Sequence, residues 1–312
     1  MMRVAALDIG TNTLLMTIAE FREQSYCILA DEHRIARLGE KLDQTGFIIP
    51  EAAQRAIEIV RHYRTIADSL GVQHRLAVGT SAFRRAGNAE KIAADIAEVW
   101  GGPVKVITGA EEAHLTYLGT VDSAGYSAVL DIGGGSTELI AGNSAKIDFQ
   151  WSLEIGAVRL AERYWTVFPA PLSSIEYARA QIEQVLKSLP KPPPLERMYG
   201  VAGTPTTLAL IAQGIRTFHW DLVDGYYLTR EIIESIWKQI AHATLSELCT
   251  IPGVHPQRAD ILPAGTLILR TVMDFLEVPG IVVSARGLRH GVLRQFFNEQ
   301  TKASLQKNST WA

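Results

Sequence analysis

One short phrase occurs twice in this chain, and the repeat constrains the fold more than any other feature. Leu7-Asp8-Ile9-Gly10-Thr11-Asn12-Thr13 stands near the start, and Leu130-Asp131-Ile132-Gly133-Gly134-Gly135-Ser136 returns well inside. Each copy follows an apolar run, Val4 to Leu7 and Ala128 to Leu130, and leads into another strand-like run, Leu14 to Ala19 and Thr137 to Ala141. In both, an aspartate ends a buried strand, a glycine turn follows, and a hydroxyl residue comes five positions after the aspartate. A glycine turn lets backbone N–H groups approach an anion closely. The hydroxyls add donors, and the aspartates can hold a divalent cation or its water shell. Two copies of one strand-turn-strand device imply two related domains facing each other across a phosphate.

The elements around each copy follow one order. Residues 3–9, 13–20 and 25–33 read as an antiparallel meander. A helix from Glu51 to Leu70 keeps Ala53, Ala56, Ile57, Val60, Tyr63, Ala67 and Leu70 at helical spacing, with Pro50 and Gly71 punctuating its ends. A strand at 74–78, a helix at 89–100, a strand at 104–107 and a helix at 110–120 follow. The second half repeats the order, with strands at 127–131, 136–142 and 145–153, then helices at 156–165 and 173–189. A strand at 198–201 meets Gly203-Thr204-Pro205-Thr206-Thr207, which opens a helix. Helices at 229–243 and 258–276, a strand at 280–284 and a last helix at 287–297 complete the chain, with a frayed polar tail expected from Thr301. The expected architecture is α/β, with two domains of mixed sheets flanked by helices. The first covers 1–121 with the last helix, 287–312, returning to it, and the second covers 122–286.

Composition narrows the function classes. Among 312 residues 47% are hydrophobic, enough for a substantial core. The net charge of −3 does not mark a nucleic-acid binder, so any polyanion site is a local patch. The two cysteines, Cys27 and Cys249, have no metal-ligand spacing, and the expectation is two buried thiols in a reducing compartment. No apolar run reaches the length of a membrane span, and no signal-peptide pattern precedes the first strand. The expected location is the cytoplasm, with no membrane partner.

Several motifs carry chemistry. Glu138 follows Ser136 by two positions on the outgoing strand, so both side chains share a face. A carboxylate beside a phosphate cradle is costly unless a metal or a proton intervenes, which points to Mg²⁺ binding or water activation. Gly109-Ala110-Glu111-Glu112-Ala113 opens a helix, and adjacent helical residues diverge by about 100°, so only one of the glutamates can face a given cleft. Helix-start chemistry alone also accounts for the pair. Gly79-Thr80-Ser81-Ala82-Phe83-Arg84-Arg85 is a strand-to-loop turn ending in two arginines, a residue type suited to bidentate phosphate contact. Arg34, Arg37, Lys41, Arg286 and Arg289 would line a groove for a long anion if the fold gathers them. Gly203 and Thr204 form a further anion- or nucleotide-facing turn.

These pieces resemble the exopolyphosphatase/guanosine pentaphosphate phosphatase (Ppx/GppA) family of the actin/Hsp70/sugar-kinase superfamily. The matching segments run in the family's order from Asp8-Ile9-Gly10-Thr11-Asn12-Thr13 to Ala285-Arg286-Gly287-Leu288-Arg289-His290-Gly291. The Glu111-Glu112-Ala113 segment, together with Gly133-Gly134-Gly135-Ser136-Thr137-Glu138, is specific to that family. The resemblance implies two actin-like (ribonuclease H-like) domains with the active site in the interdomain cleft. It implies release of terminal phosphate from inorganic polyphosphate or of the 5′ γ-phosphate of guanosine pentaphosphate, as in the stringent response, with Mg²⁺ or Mn²⁺. Glu112 would activate the attacking water, Arg84 would contact the scissile phosphate, and Gly133, Gly134, Gly135 and Ser136 would hold phosphates. Asp131 and Glu138 would organise metal and water, while Asp8, Gly10, Asn12, Thr13, Gly203 and Thr204 would complete the phosphate-binding wall.

The resemblance also implies frequent dimerisation. Longer family members carry an additional helical, HD-type region, whose absence is expected here and would imply a shorter polyanion channel. His290 stands where the family often has glutamate, and no catalytic role is assigned to it. Two rival functions share the fold: an ATP-dependent kinase or ATPase, and a non-catalytic sensor of polyphosphate or guanosine alarmones.

Overall fold

The computed structural model describes residues 2–22, 25–144 and 146–309, with side chains described up to residue 302. The chain divides into two units, Met1–Gly119 with Gly287–Ala312, and Thr120–Arg286. The division falls two residues before the expected boundary.

In unit 1 the strands β1 (Met2–Ile9), β2 (Thr13–Phe21) and β3 (Tyr26–Ile35) form the antiparallel meander. The short helix α1 (Leu42–Thr45) and the long α2 (Pro50–Ser69) follow, then β4 (His74–Gly79), α3 (Ser81–Arg85), α4 (Ala89–Trp100), β5 (Val104–Val106) and α5 (Gly109–Thr120). Strand β4 pairs parallel with β1, and β5 parallel with β4, giving the order β3-β2-β1-β4-β5. The apolar stripe of α2 does what its spacing predicts: Ala52, Ala56, Val60, Tyr63 and Ala67 are buried. Tyr63 carries a polar tip into this core, donating to the Leu14 carbonyl at 3.0 Å, and burial pushes its phenol pKa up. From α4, Ile92, Ile96 and Trp100 join the same core.

Unit 2 repeats the plan. Strands β6 (Ser127–Ile132), β7 (Thr137–Gly142) and β8 (Ile147–Leu153) form a second antiparallel meander. Helices α6 (Ala157–Tyr164) and α7 (Leu172–Lys187) lead to β9 (Arg197–Val201), which pairs parallel with β6. Then come α8 (Gly203–Gln213), α9 (Trp220–Val223), β10 (Tyr227–Thr229), α10 (Arg230–Ile240), α11 (Leu245–Thr250), α12 (Leu262–Leu276) and β11 (Gly280–Val283). The sheet order is β10-β11-β9-β6-β7-β8. Reading outward from β8, the first five positions match those of unit 1, and β10 is an addition at the edge. Its three residues are too few to leave an alternating pattern in sequence, so the expected element list lacks it.

Three other expectations change. The Thr80–Arg84 segment, read as a loop, is the one-turn helix α3, whose Ala82 and Phe83 bury against the unit 1 core. Helix α12 begins at Leu262 because Pro263 suits a first turn, and residues 256–258 form a separate 3₁₀ turn. The last helix, α13 (Leu288–Ser309), extends through the expected frayed tail, of which residues 310–312 lie outside the described residues. Leu293 of α13 packs with Val4, Ala6, Ala19 and Phe21 on the face of the first sheet opposite α2.

The cysteine expectation is corrected too. Cys27 is half-buried and Cys249 exposed, because the latter lies near the end of the short surface helix α11; both are free thiols. No helix among the described residues is long and apolar enough to cross a membrane.

Candidate functional site

Topology gathers the motifs within each unit. In unit 1 the three parallel strands β1, β4 and β5 end, respectively, at the Gly10 turn, at Thr80–Arg85 and at the start of α5 with Glu111 and Glu112. In unit 2 the parallel strands β6, β9 and β11 end at the Gly133 turn, at Gly203-Thr204 and at Ser284–Arg286. Each unit thus presents its chemistry along the carboxyl edge of its parallel strands, where open α/β sheets bind ligands.

The two glycine turns close in the same way. Gly10 N–H donates to Thr13 C=O at 3.1 Å, and Gly133 N–H donates to Ser136 C=O at 3.0 Å. At Gly133 a Cβ would stand 2.8 Å from the Ser136 oxygen, and at Gly10 2.9 Å from the Thr13 oxygen, so the closure admits only glycine. Behind each turn, the segment that follows the third meander strand supplies backbone donors. In unit 2, Ala157 N–H donates to Gly133 C=O at 2.9 Å, and Val158 and Arg159 N–H donate to Gly134 C=O at 2.9 and 3.2 Å. In unit 1, Gly39 N–H donates to Thr11 C=O at 2.8 Å, and Ala36 and Arg37 N–H donate to Asn12 C=O at 3.0 and 2.9 Å.

A trans peptide points its C=O and the following N–H in opposite directions. Binding the Gly133 and Gly134 carbonyls from the α6 side therefore aims the Gly134 and Gly135 amides away from α6. The same logic aims the Asn12 and Thr13 amides in unit 1. The N-terminal amides of α6 are spent on this support. Gly156 completes it, since any Cβ there would overlap the Gly134 carbonyl. Sequence reasoning missed Gly156 and Gly39, because their partners are distant in the chain.

The adjacent glutamates differ in their partners and burial. Glu111 Oε2 accepts from Thr108 N–H at 2.8 Å while Thr108 Oγ1 accepts from Glu111 N–H at 3.1 Å, a reciprocal helix cap. Its hydrogen bond from Lys105, with those from Thr108, holds the Glu111 pKa down to about 2. Glu112 turns inward and is 8% exposed. Burial raises its pKa, and the charge and hydrogen bond of Arg84 work against that rise without cancelling it.

Arg84 Nη1 donates to Glu112 Oε2 at 2.6 Å and to the Ile107 carbonyl at 3.1 Å. Its Nη2 is buried and has no hydrogen-bond partner among the described residues. One terminal nitrogen of Arg84 is thus engaged by Glu112, and the other makes no hydrogen bond among the described residues. Ser81, absent from the expected site, carries a buried Oγ with no partner, and Asn12 Oδ1 is in the same condition.

In unit 2, Asp131 on β6 stands directly opposite Glu138 on β7 in the antiparallel register, and Glu138 is in turn opposite Ser152 on β8. Glu138 is 1% exposed, and Ser152 Oγ donates to its Oε1 at 2.7 Å. Two carboxylates directly opposed on one face repel unless a cation or proton joins them. Among the described residues no group of three or more His, Cys, Asp or Glu could hold a metal ion. A two-carboxylate, all-oxygen set fits Mg²⁺, or Mn²⁺ of similar chemistry, which commonly takes one or two carboxylates together with water and substrate phosphate.

At the β9–α8 turn, Ala202 sits at φ 71°, a strained position for a residue with a Cβ, immediately before Gly203 and the buried Thr204. The Arg258 guanidinium lies against Gly203.

The expected arginine groove is corrected in part. Arg289 is buried and forks onto Asp31, with Nε at 2.9 Å and Nη2 at 2.8 Å, and Nε also meets Thr17 Oγ1 at 2.7 Å. Arg286 pairs with Asp122 at 2.5 Å. Both charges are taken up by carboxylates that the spacing of motifs does not reveal. His290, also in α13, is buried at 4% exposure.

Comparisons with known proteins agree with this arrangement. The sequence pattern of the Ppx/GppA phosphatase family matches residues 17–299. The chain is 31% identical to exopolyphosphatase 2 of Mycobacterium tuberculosis over 315 aligned positions, covering 93% of this chain and 97% of that protein. The crystal structure of the Aquifex aeolicus member of the Ppx/GppA family superposes with a TM-score of 0.81 at 30% identity, covering 96% of this chain and 98% of the other. An exopolyphosphatase from Cytophaga hutchinsonii superposes with a TM-score of 0.87 at 29% identity, covering 95% and 98%. The duplicated sheets, the paired glycine turns and the buried Glu112 are therefore those of a chain that belongs to the Ppx/GppA phosphatase family.

Proposed function

We propose that the protein hydrolyses terminal phosphoanhydride bonds, releasing orthophosphate from inorganic polyphosphate or from the 5′ end of guanosine pentaphosphate. The observation that carries this reading is Glu112: a carboxylate buried on α5, with a pKa raised by burial and one oxygen held by Arg84. Such a group is placed to take a proton from water, which is what in-line attack on a terminal phosphorus needs. Unit 1 supplies that base and the Nη2 donor of Arg84 for a phosphoryl oxygen. Its Gly10 turn adds the Asn12 and Thr13 amides. Within unit 2, the Gly134 and Gly135 amides and the Ser136 hydroxyl are the candidate phosphate donors, with Gly203 and Thr204 as a further donor turn. Asp131 and Glu138 are the residues that would hold Mg²⁺ or Mn²⁺, and the ion when bound neutralises phosphoryl charge. Donors fixed before the reaction stabilise developing charge without reorganising.

The test is phosphate release measured side by side from short polyphosphate, long polyphosphate, guanosine pentaphosphate and ATP. Release from polyphosphate or guanosine pentaphosphate that greatly exceeds release from ATP, and that Glu112→Gln abolishes without loss of binding, supports the proposal. Tight binding with no release by the wild type would make the protein a sensor, and comparable turnover of ATP would make it an ATPase or kinase.

A further inference from the structure

We propose that the Ser81 hydroxyl is a substrate-contacting group that holds a phosphoryl oxygen together with Arg84 Nη2. The proposal deepens the reading of the site as a phosphoanhydride hydrolase and rests on it for the identity of the ligand. Ser81 opens α3 directly beyond β4 and is 2% exposed. Its Oγ is buried and makes no hydrogen bond among the described residues. Burying a hydroxyl without a partner is destabilising, because its desolvation goes uncompensated. The next two residues, Ala82 at 0% and Phe83 at 3% exposure, pack as ordinary core side chains. Alanine would suit the position of Ser81 equally well by volume, so packing alone does not account for the oxygen.

Arg84 lies three residues on, which places it on the same face of the helix as Ser81. Its Nη2 is the second buried donor without a partner on that turn, while its Nη1 holds Glu112. Two unsatisfied donors one helical turn apart, beside the carboxylate that serves as base, call for a ligand with several acceptor oxygens. A phosphoryl group has three and carries the charge that Arg84 would neutralise. Sequence pattern had singled out the arginine, whereas the serine becomes visible only through its burial.

The substitution Ser81→Ala separates this role from a structural one. Removing a buried, unpaired hydroxyl raises the melting temperature of the unliganded protein. The same change raises KM for short polyphosphate about tenfold, the effect of one lost hydrogen bond to a charged group, with kcat held within about twofold. It also shrinks the rise in melting temperature produced by inorganic triphosphate. A lower melting temperature with an unchanged KM would overturn the proposal and make Ser81 a packing residue. So would a triphosphate-induced rise equal to that of the wild type, or a wild type that shows no response to triphosphate. If the wild type binds triphosphate but releases no phosphate from any substrate, the hydrolase reading fails, while the comparison of triphosphate responses still decides the role of Ser81.

Discussion

Arg84 Nη1 holds Glu112 Oε2 at 2.6 Å while Arg84 Nη2 stays buried with no hydrogen-bond partner among the described residues. One guanidinium therefore does two things. It offsets part of the burial cost of the Glu112 carboxylate, and it keeps a second donor for a ligand. The acid limb of the rate profile should report this pair. Glu112 must be ionised to accept a proton, so activity rises with pH through its raised pKa. Arg84 lowers that pKa, and Arg84→Met should shift the acid limb of kcat/KM to higher pH. Glu112→Gln should keep the fold and lose about 10²–10⁴-fold in kcat. An acid limb unmoved in Arg84→Met would separate the two residues functionally.

The opposed carboxylates of unit 2 make a different prediction. Asp131 and Glu138 stand opposite each other across the β6–β7 ladder as the residues that would hold a divalent cation, so such a cation should stabilise the wild-type protein by mass action. Glu138→Gln removes one of the two carboxylates and keeps an acceptor for Ser152. The rise in its melting temperature on adding Mg²⁺ should be lost. Calorimetry with and without Mg²⁺ checks this.

Gly156 is predicted to act on phosphate handling through the turn it touches. Gly156→Ala forces a Cβ against the Gly134 carbonyl, and the amides of Gly134 and Gly135 must swing from their aim. A loss of about 10²-fold in kcat/KM is expected, since removal of a single oriented donor costs that much. The counterpart in unit 1 offers a rescue. Gly39→Ala collides with the methyl group of Thr11, and Thr11→Ser removes that methyl. The double variant should recover most of the activity that Gly39→Ala loses; no recovery would show that the collision is not the cause.

Acid stability should depend on Asp31. Burial works against its ionisation, but the charge and hydrogen bonds of Arg289, with the Thr17 hydroxyl, bring its pKa below the ordinary aspartate value of 3.8. A pKa lowered in the folded state contributes stability above pH 3.8 and loses it as pH falls through the folded value. Asp31→Asn should therefore destabilise the protein at neutral pH, and the difference from wild type should shrink as the pH falls below 3.8. Arg289→Ala leaves Asp31 partly buried without its ion pair and should cost about 2–3 kcal/mol, discounted for the partial exposure of the aspartate. Urea unfolding across this pH range measures both.

Ala202 offers a test of strain. Its φ of 71° favours glycine, and Ala202→Gly should stabilise the protein by about 1 kcal/mol, net of the added freedom of the unfolded chain.

Much of the fold was legible because it rests on local periodicity. Ala56, Val60, Tyr63 and Ala67 mark one face of α2 by spacing alone, and the two Asp-Ile-Gly turns declare a duplication through identical residues at identical offsets. The short elements α3 and β10 escaped because three to five residues complete no period. Arg289 and Arg286 looked like groove-lining charges because their partners, Asp31 and Asp122, lie 258 and 164 positions away.

By itself the sequence determined the chemistry available: two glycine turns for anions, a Glu-Glu pair opening a helix, and a carboxylate two residues beyond the second turn. Only the tertiary structure decided how those groups are used. Glu111 caps α5 while Glu112 is buried against Arg84; Glu138 faces Asp131; and the N-terminus of α6 supports a turn in place of binding an anion. The reason is physical. Residue type and spacing set what a side chain can do, but burial, pairing and the aim of a backbone amide depend on groups that only the folded chain brings within hydrogen-bonding distance.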